Sequence, residues 1–373
     1  MIITILVSVL IGYVYEDADS LIVIDDSLVI CGTHQYNIKV HITNKGILKV
    51  TQWSGAADST GWLLLNAPLI LIQDSSSING SKTGYMGGNN THPDGYGPGY
   101  GEAGSISGGA GGGAGYGGNG GNGSGIPGMG GNPYGNNSDT LIEMGSGGGA
   151  GRLGAVEGFG GNGGANIYLR AQKINIDSSY IETNGENGDS AGIVAGGGGS
   201  GGGIMIWADS TVIHNSEINA DGGEGGHADI YGGYGGGGAG GGRIKIFYTT
   251  SLDTSDIVLS VQGGAEGTGG WGNGEPGMPG SIHIELITGI TEIANKVTKN
   301  FFIYPNPVKD IAKITCANTP LKLHLYDISG RIVKTIWLKN NTEFVRLNDL
   351  EQGIYFLKSN EENNPAHKII LLK

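Results

Sequence analysis

Two stretches of this sequence set oxygen-bearing side chains on glycine turns: Asn184-Gly-Glu-Asn-Gly-Asp189 and Asn219-Ala-Asp-Gly-Gly-Glu224. Carboxylates and carboxamides on tight turns are hard ligands of the kind that calcium takes. Asp189, Asp221 and Glu224 are therefore the candidate metal ligands, and calcium is the only cofactor they suggest. The tandem glycine-rich nonapeptide with its fixed Asp is not matched, and Asn, Asp and Gly form turns without any metal. The other acids, among them Asp177, Glu182, Glu186, Asp209, Glu217 and Asp229, are scattered. Glycoside hydrolysis needs two carboxyl groups converging on a cleft. Arg170, Lys173, Arg243 and Lys245 stand singly in apolar segments, without the spacing a lyase needs. Neither HExxH nor a phosphate-binding Walker motif occurs, and the histidines do not cluster at metal spacing. No catalytic residue is assigned, and a polysaccharide lyase or hydrolase stands only as an analogy of fold. Tyr85, Tyr96, Tyr100, Tyr116, Tyr134, Tyr231 and Tyr234 punctuate the glycine runs. Such rings stack on sugars, which makes surface polysaccharide or extracellular glycans candidate partners, or they pack over glycine backbone.

These residues sit in an unusual chain. Of 76 glycines among 373 residues, 68 fall between Gly80 and Gly280. There is no strict Gly-X-Y period, so collagen is excluded. The same stretch carries 18 Asp and Glu against 6 Lys and Arg, whereas Phe301–Lys373 carries 7 acids against 10 bases. An acidic body excludes nucleic acid as its partner, because phosphate binding needs Lys and Arg. Cys31 and Cys316 lie far apart and form no CxxC, so neither a disulfide framework nor a cysteine metal site is indicated. Residues 1–15 form an apolar run that matches a signal-peptide core but lacks a basic start; a first β-strand is the alternative.

Short apolar segments interrupt the glycine regularly. Ile167, Ile204, Ile244 and Ile282 each follow a glycine run, at intervals of 37, 40 and 38 residues. A further apolar segment follows at a fixed offset of 14, from Ile167 to Ile181 and from Ile204 to Ile218, with Ile174-Asn-Ile176 or Val212-Ile213 between. Three short strands per unit, each unit unable to bury its own inner face, predict a parallel β-solenoid, with a β-sandwich bearing glycine-rich loops as the alternative. Alternation turns Ile167, Leu169, Ile174, Ile176 and Ile181 inward, with Ile204, Ile206, Val212 and Ile218 stacked on them and Met205 outward. The runs Gly108–Gly115 and Gly233–Gly242 read either as mobile loops or as polyglycine II helices packed side by side, an approach only glycine allows.

The order Ser77-Ile-Asn-Gly80, Gly84-Tyr-Met-Gly-Gly88, Gly201–Ile206 and Ile218–Gly223 resembles large glycine-rich bacterial exoproteins with right-handed parallel β-helices. That resemblance implies an all-β, glycine-rich right-handed β-helix over residues 16–288 and is nearly silent on function; with no catalytic constellation in it, the body reads as an adhesive or structural module. After a linker at 289–300 the composition changes. Glycine becomes rare and strands alternate over 301–373, predicting a small antiparallel β-sandwich. Tyr304-Pro-Asn-Pro307, Leu325-Tyr-Asp-Ile-Ser-Gly-Arg331 and Gly353-Ile-Tyr-Phe-Leu357 arrive in order before a short basic-apolar end. This tail resembles the type A C-terminal sorting domain of the type IX secretion system of Bacteroidetes. The resemblance implies that Tyr304, Pro305, Asn306, Pro307, Gly330, Arg331, Gly353 and Tyr355 carry a sorting motif. It further implies that the secretion machinery is the tail's partner, and that the protein ends on the cell surface or outside the cell.

Overall fold

The computed structural model describes residues 12–55, 60–229, 231–287, 301–304, 308–316, 321–340, 342–359 and 367–372. Among them every regular element is a strand. The chain divides into two compact units, Met1–Thr288 and Gly289–Lys373.

The first unit holds β1 (Tyr13–Glu16), β2 (Ser20–Ile24), β3 (Ser27–Ile30), β4 (Gly32–Gln35), β5 (Lys39–Thr43), β6 (Ile47–Val50), β7 (Trp62–Ile72), β8 (Ser77–Asn79) and β9 (Ser107–Gly109). It continues through β10 (Gly151–Leu153), β11 (Ala155–Gly158), β12 (Asn166–Asp177), β13 (Tyr180–Glu182), β14 (Gly203–His214), β15 (Glu217–Asn219), β16 (Arg243–Ser255), β17 (Val258–Ser260) and β18 (Ser281–Leu286). One sheet runs β1-β2-β5-β7-β12-β14-β16-β18, with β4 also on β7; a second runs β17-β15-β13-β8-β6-β3. All pairings in both are parallel except β1 on β2, which lays an antiparallel strand over the first turn. The parallel pairing sets aside the antiparallel sandwich. Residues 1–11 of the apolar N-terminal run lie outside the described residues, as does the linker 289–300.

Stacking is in register. Leu63, Ile167, Ile204, Ile244 and Ile282 form one column, and Leu65, Leu169, Ile206, Ile246 and Ile284 the next. In the second sheet Leu28, Leu48, Ile78, Ile181, Ile218 and Leu259 line up in the same way. From Leu63 to Ile246 these first-sheet side chains are fully buried, each stabilising the stack by roughly 1.5–3 kcal/mol. The corner between the sheets recurs as a left-handed residue: Asp25 (φ 47°), Ser178 (φ 52°), Asn215 (φ 48°) and Asp256 (φ 51°). Asp and Asn tolerate that conformation because their short polar side chains bond locally.

The strand count and one inner-face assignment change. Ile167 and Ile176 lie in one twelve-residue strand, so the turns that open on β7, β12, β14 and β16 have a long strand and a short one, whereas the turn of β4, β5 and β6 keeps three short strands. Thr211 pairs with Ile174 and Ile213 with Ile176, which puts Thr211 and Ile213 inside and leaves Val212 only partly buried. The parity across Ala208–Ser210 is set by the neighbouring strands, which the local sequence does not report. Met205 does point away from the inner core, yet it is 1% exposed because Ile142 and Phe247 cover it.

The glycine runs close each turn and bond to one another rather than to water. Gly197 N–H donates to Gly149 O at 2.8 Å, Gly149 to Gly112 O at 2.9 Å, Gly111 to Ala195 O at 3.0 Å and Gly237 to Gly111 O at 2.9 Å. Further out, Gly223 donates to Gly199, Ala239 to Gly223, Gly264 to Ala239 and Gly277 to Gly264. The runs approach so closely that a Cβ on Gly113 would stand 2.1 Å from the Gly238 carbonyl oxygen. No side chain fits there, which accounts for the composition.

The second unit has β19 (Phe301–Tyr304), β20 (Ile311–Cys316), β21 (Leu321–Tyr326), β22 (Ile332–Leu338), β23 (Thr342–Arg346), β24 (Gly353–Ser359) and β25 (His367–Leu371). They form antiparallel sheets β19-β20-β23 and β22-β21-β24-β25. Ala312 and Ile314 of one sheet and Leu323, Leu325, Leu338, Leu357 and Ile369 of the other share a single buried cluster.

Candidate functional site

Asp189, Asp221 and Glu224 do not converge. Among the described residues no group of three or more His, Cys, Asp or Glu could hold a metal ion. Register explains why. Asn184 Oδ1 accepts from Asp221 N–H at 2.8 Å and Asn187 Oδ1 from Glu224 N–H at 2.9 Å, so each acid stacks on a carboxamide one turn back. Asp189 meets Gly226 instead: its carbonyl oxygen lies 2.1 Å from where that glycine's Cβ would be. The oxygens form a ladder. Ser81 Oγ accepts from Asn184 N–H, Asn184 from Asp221 N–H, and Asp221 Oδ1 from Gln262 N–H and the Ser260 hydroxyl, both at 2.6 Å. Each side chain thus caps the backbone of the following turn. Asp221→Ala should therefore cost about 0.5–1.5 kcal/mol by removing the acceptor of two partly solvated donors, and millimolar calcium should leave the melting temperature of the wild type unchanged. A neutral Asp221→Ala together with stabilisation of the wild type by calcium would restore the metal reading.

A buried group of titratable side chains lies elsewhere, on the outer face of the first sheet. Lys245 is 1% exposed, and its ammonium donates to Asn136 O (2.7 Å), Leu141 O (2.6 Å), Asp139 O (3.1 Å) and Asp139 Oδ1 (2.8 Å). Arg243, two residues earlier and so on the same face, donates to Tyr134 O at 3.0 Å and Ser281 Oγ at 2.7 Å, and lies over the Tyr116 ring. The Lys245 hydrogen bond holds the Asp139 carboxyl below its ordinary value. Burial, then the Asp139 charge, pushes the Glu143 carboxyl up. Burial likewise raises the Tyr116 and Tyr134 phenols. The Tyr116 hydroxyl accepts from Glu143 N–H, the Tyr134 hydroxyl donates to Met144 O, and Ser146 Oγ donates to the Tyr134 hydroxyl. The oxygens around Lys245 belong to residues 136–141 and Arg243 takes the Tyr134 carbonyl, so the two cations strap residues 134–141 to the sheet and seat the adjoining Ile142 against Met205 and Phe247. In the sequence Lys245 and Arg243 stand singly; the strap's carbonyls lie 104 to 109 residues before them and leave no local signal.

The tyrosines divide. Tyr85 and Tyr96 pack on Trp53 with ring centroids 5.0 and 5.4 Å away, and Tyr116 on Tyr134 at 4.8 Å. Tyr100 and Tyr231 are exposed, and Tyr234 lies against Trp271.

In the second unit, Gly330 and Arg331 close a hairpin. Gly330 has φ 80°, where a side chain would be strained. Asp327, absent from the assigned motif residues, organises the turn. Its Oδ1 accepts from the Ser329 hydroxyl (2.6 Å), Ser329 N–H (2.9 Å) and Arg331 N–H (3.1 Å), and its Oδ2 from Arg331 Nε (3.1 Å). These bonds, the Ser329 hydroxyl foremost, hold its pKa down at about 2. Gly353 opens β24, and Tyr355 enters the core while its hydroxyl donates to Glu351 O at 2.7 Å. The backbone of Tyr304 ends β19; Pro305, Asn306 and Pro307 lie outside the described residues.

Residues 302–373 match the family described as the secretion system C-terminal sorting domain. No curated protein and no solved structure matches the chain. The domain marks proteins that the type IX system exports, so this protein is secreted or held at the cell surface, and its tail engages the type IX machinery.

Proposed function

We propose that the body is a right-handed parallel β-helix walled on one side by polyglycine II-like runs, and that it serves outside the cell as an adhesive or structural module without catalysis. The observation that carries this reading is the in-register bonding of the glycine runs. A backbone lattice of this kind is stiff, and it commits its residues to each other rather than to a cleft. The acids best placed to act are also committed. Asp221 caps the next turn, and Asp139 holds Lys245. Surface polysaccharide or extracellular glycan is the partner class that suits exposed rings on an acidic body.

The test is to incubate the secreted protein with acidic and neutral polysaccharides, with and without calcium, and to assay products and binding together. Binding without cleavage is the expected result. New reducing ends, or unsaturated products absorbing in the ultraviolet, would replace the adhesive reading with a polysaccharide-active enzyme.

A further inference from the structure

Two tight turns lie side by side at the tips of successive glycine runs. In the first, Gly232 N–H donates to Asp229 O at 3.3 Å and Tyr231 N–H to Asp229 Oδ1 at 2.9 Å. In the second, Gly272 N–H donates to Gly269 O at 3.2 Å and Gly269 N–H to Asn273 Oδ1 at 3.2 Å. Gly270 N–H to Asp229 O and Trp271 N–H to Gly233 O bind the turns together. Each projects one aromatic side chain, Tyr231 at 89% exposure and Trp271 at 61%.

Trp271 is seated rather than loose. Its indole rests on the Gly232 backbone, where a Cβ would stand 2.9 Å from the ring, and it tilts against Tyr234 with centroids 5.4 Å apart. Tyr234 in turn lies on Gly125, and Ser124 Oγ donates to Gly272 O at 2.8 Å, locking the second turn to a third run. The indole therefore has one supported face and one open to solvent. Asp229, Asn273 and the hydrogen-bonded pair His227 and Thr268 supply polar groups on the same turns.

We propose that this tip binds neutral glycan, with a sugar ring stacked on the open face of Trp271, Tyr231 as a second platform, and hydroxyls bonded to the flanking polar side chains. The proposal rests on the reading of the body as a binding module. A pyranose offers an apolar C–H face and a rim of hydroxyls, which is the complement of a fixed indole bordered by a carboxylate and a carboxamide. Fixing the ring beforehand lowers the ordering cost of binding. The excess of acids over bases from Gly80 to Gly280 disfavours polyanionic chains.

The experiment titrates the full secreted chain with hexasaccharides of β-glucan, xylan and mannan, and with an alginate hexamer, by tryptophan fluorescence and calorimetry. At least one neutral hexamer should bind. Trp271→Ala should weaken it about tenfold or more, the loss expected of one stacked ring, with Tyr231→Ala weaker by a smaller factor and Trp271→Phe retaining most of the affinity. Melting curves of Tyr231→Ala and Trp271→Phe should overlay the wild type, and Trp271→Ala, which loses the contacts with Gly232 and Tyr234, should melt only slightly lower while staying folded at the assay temperature. Neutral-glycan binding unchanged in Trp271→Ala and Tyr231→Ala would overturn this site while leaving a binding module. Alginate binding alone, or no binding to any hexamer, would overturn the neutral-glycan assignment.

Discussion

Gly197→Ala should destabilise the body by about 3 kcal/mol or more, while Gly192→Ala, a few residues earlier, should be neutral or slightly stabilising. A Cβ on Gly197 would stand 2.0 Å from the Gly112 oxygen, 2.3 Å from its carbonyl carbon and 2.8 Å from Gly113 N. All three are backbone atoms, so no side chain can rotate away. Gly197 is also bonded on both sides, donating to Gly149 O and accepting from Gly161 N–H, so any shift that relieves the clash loosens two neighbouring runs. At Gly192 nothing lies within 4 Å of the added methyl and φ is not left-handed, so the substitution mainly restricts the unfolded chain. Thermal or urea melts of the pair read the contrast. Equal, small effects would mean that the Gly197 run is not packed.

Ile206→Asp and Met205→Asp should both unfold the turns around β14, each costing about 3–5 kcal/mol, although the two side chains point to opposite faces. Ile206 is fully buried between Leu169 and Ile246 in the inner core. Met205 lies on the outer face, where an alternating strand should meet solvent, but Ile142 covers it within the segment strapped down by Lys245 and Arg243. A carboxylate at 206 has no cation to pair with in the inner core; one at 205 stands beside Lys245, its in-register neighbour on β16, and would draw that ammonium away from the oxygens of residues 136–141 and so undo the strap. Tyr180→Asp, on an outward position of β13 at 41% exposure, is the control and should cost well under 1 kcal/mol. Urea midpoints of the three variants would show two collapses and one near-wild-type curve. A mild Met205→Asp would mean that Lys245 does not hold residues 136–141 against the sheet in solution.

The two predictions also mark how far the sequence could be read. Columns such as Ile167, Ile204 and Ile244 were legible because alternation and spacing are local and repeat. The sorting tail was legible because its motifs arrive in order. The strap over Met205 was not, because the carbonyls that Lys245 and Arg243 hold in it stand more than a hundred residues away. Thr211 rather than Val212 faces inward because the neighbouring strands set the parity, and hydrophobicity alone favours the wrong residue. The bonds of Asp221 to Gln262 and Ser260 were not legible, because an oxygen on a glycine turn looks the same in sequence whether it meets a metal or the next turn's amide. The corner residues Asp25, Ser178, Asn215 and Asp256 carry a usable signal, a short polar residue just before each second strand, but only once the two-strand turn is known.

Hydrogen exchange at the glycine amides tests the central claim most directly, since it reads order in the runs without altering them. In the intact secreted protein, peptides spanning 108–115, 196–202 and 235–242 should exchange as slowly as those of β12 and β14, because Gly111, Gly197 and Gly237 each donate to a carbonyl in a neighbouring run. Complete exchange of these glycine peptides within seconds, beside protected β12 and β14, would contradict the account and reduce the runs to loose loops on a solenoid.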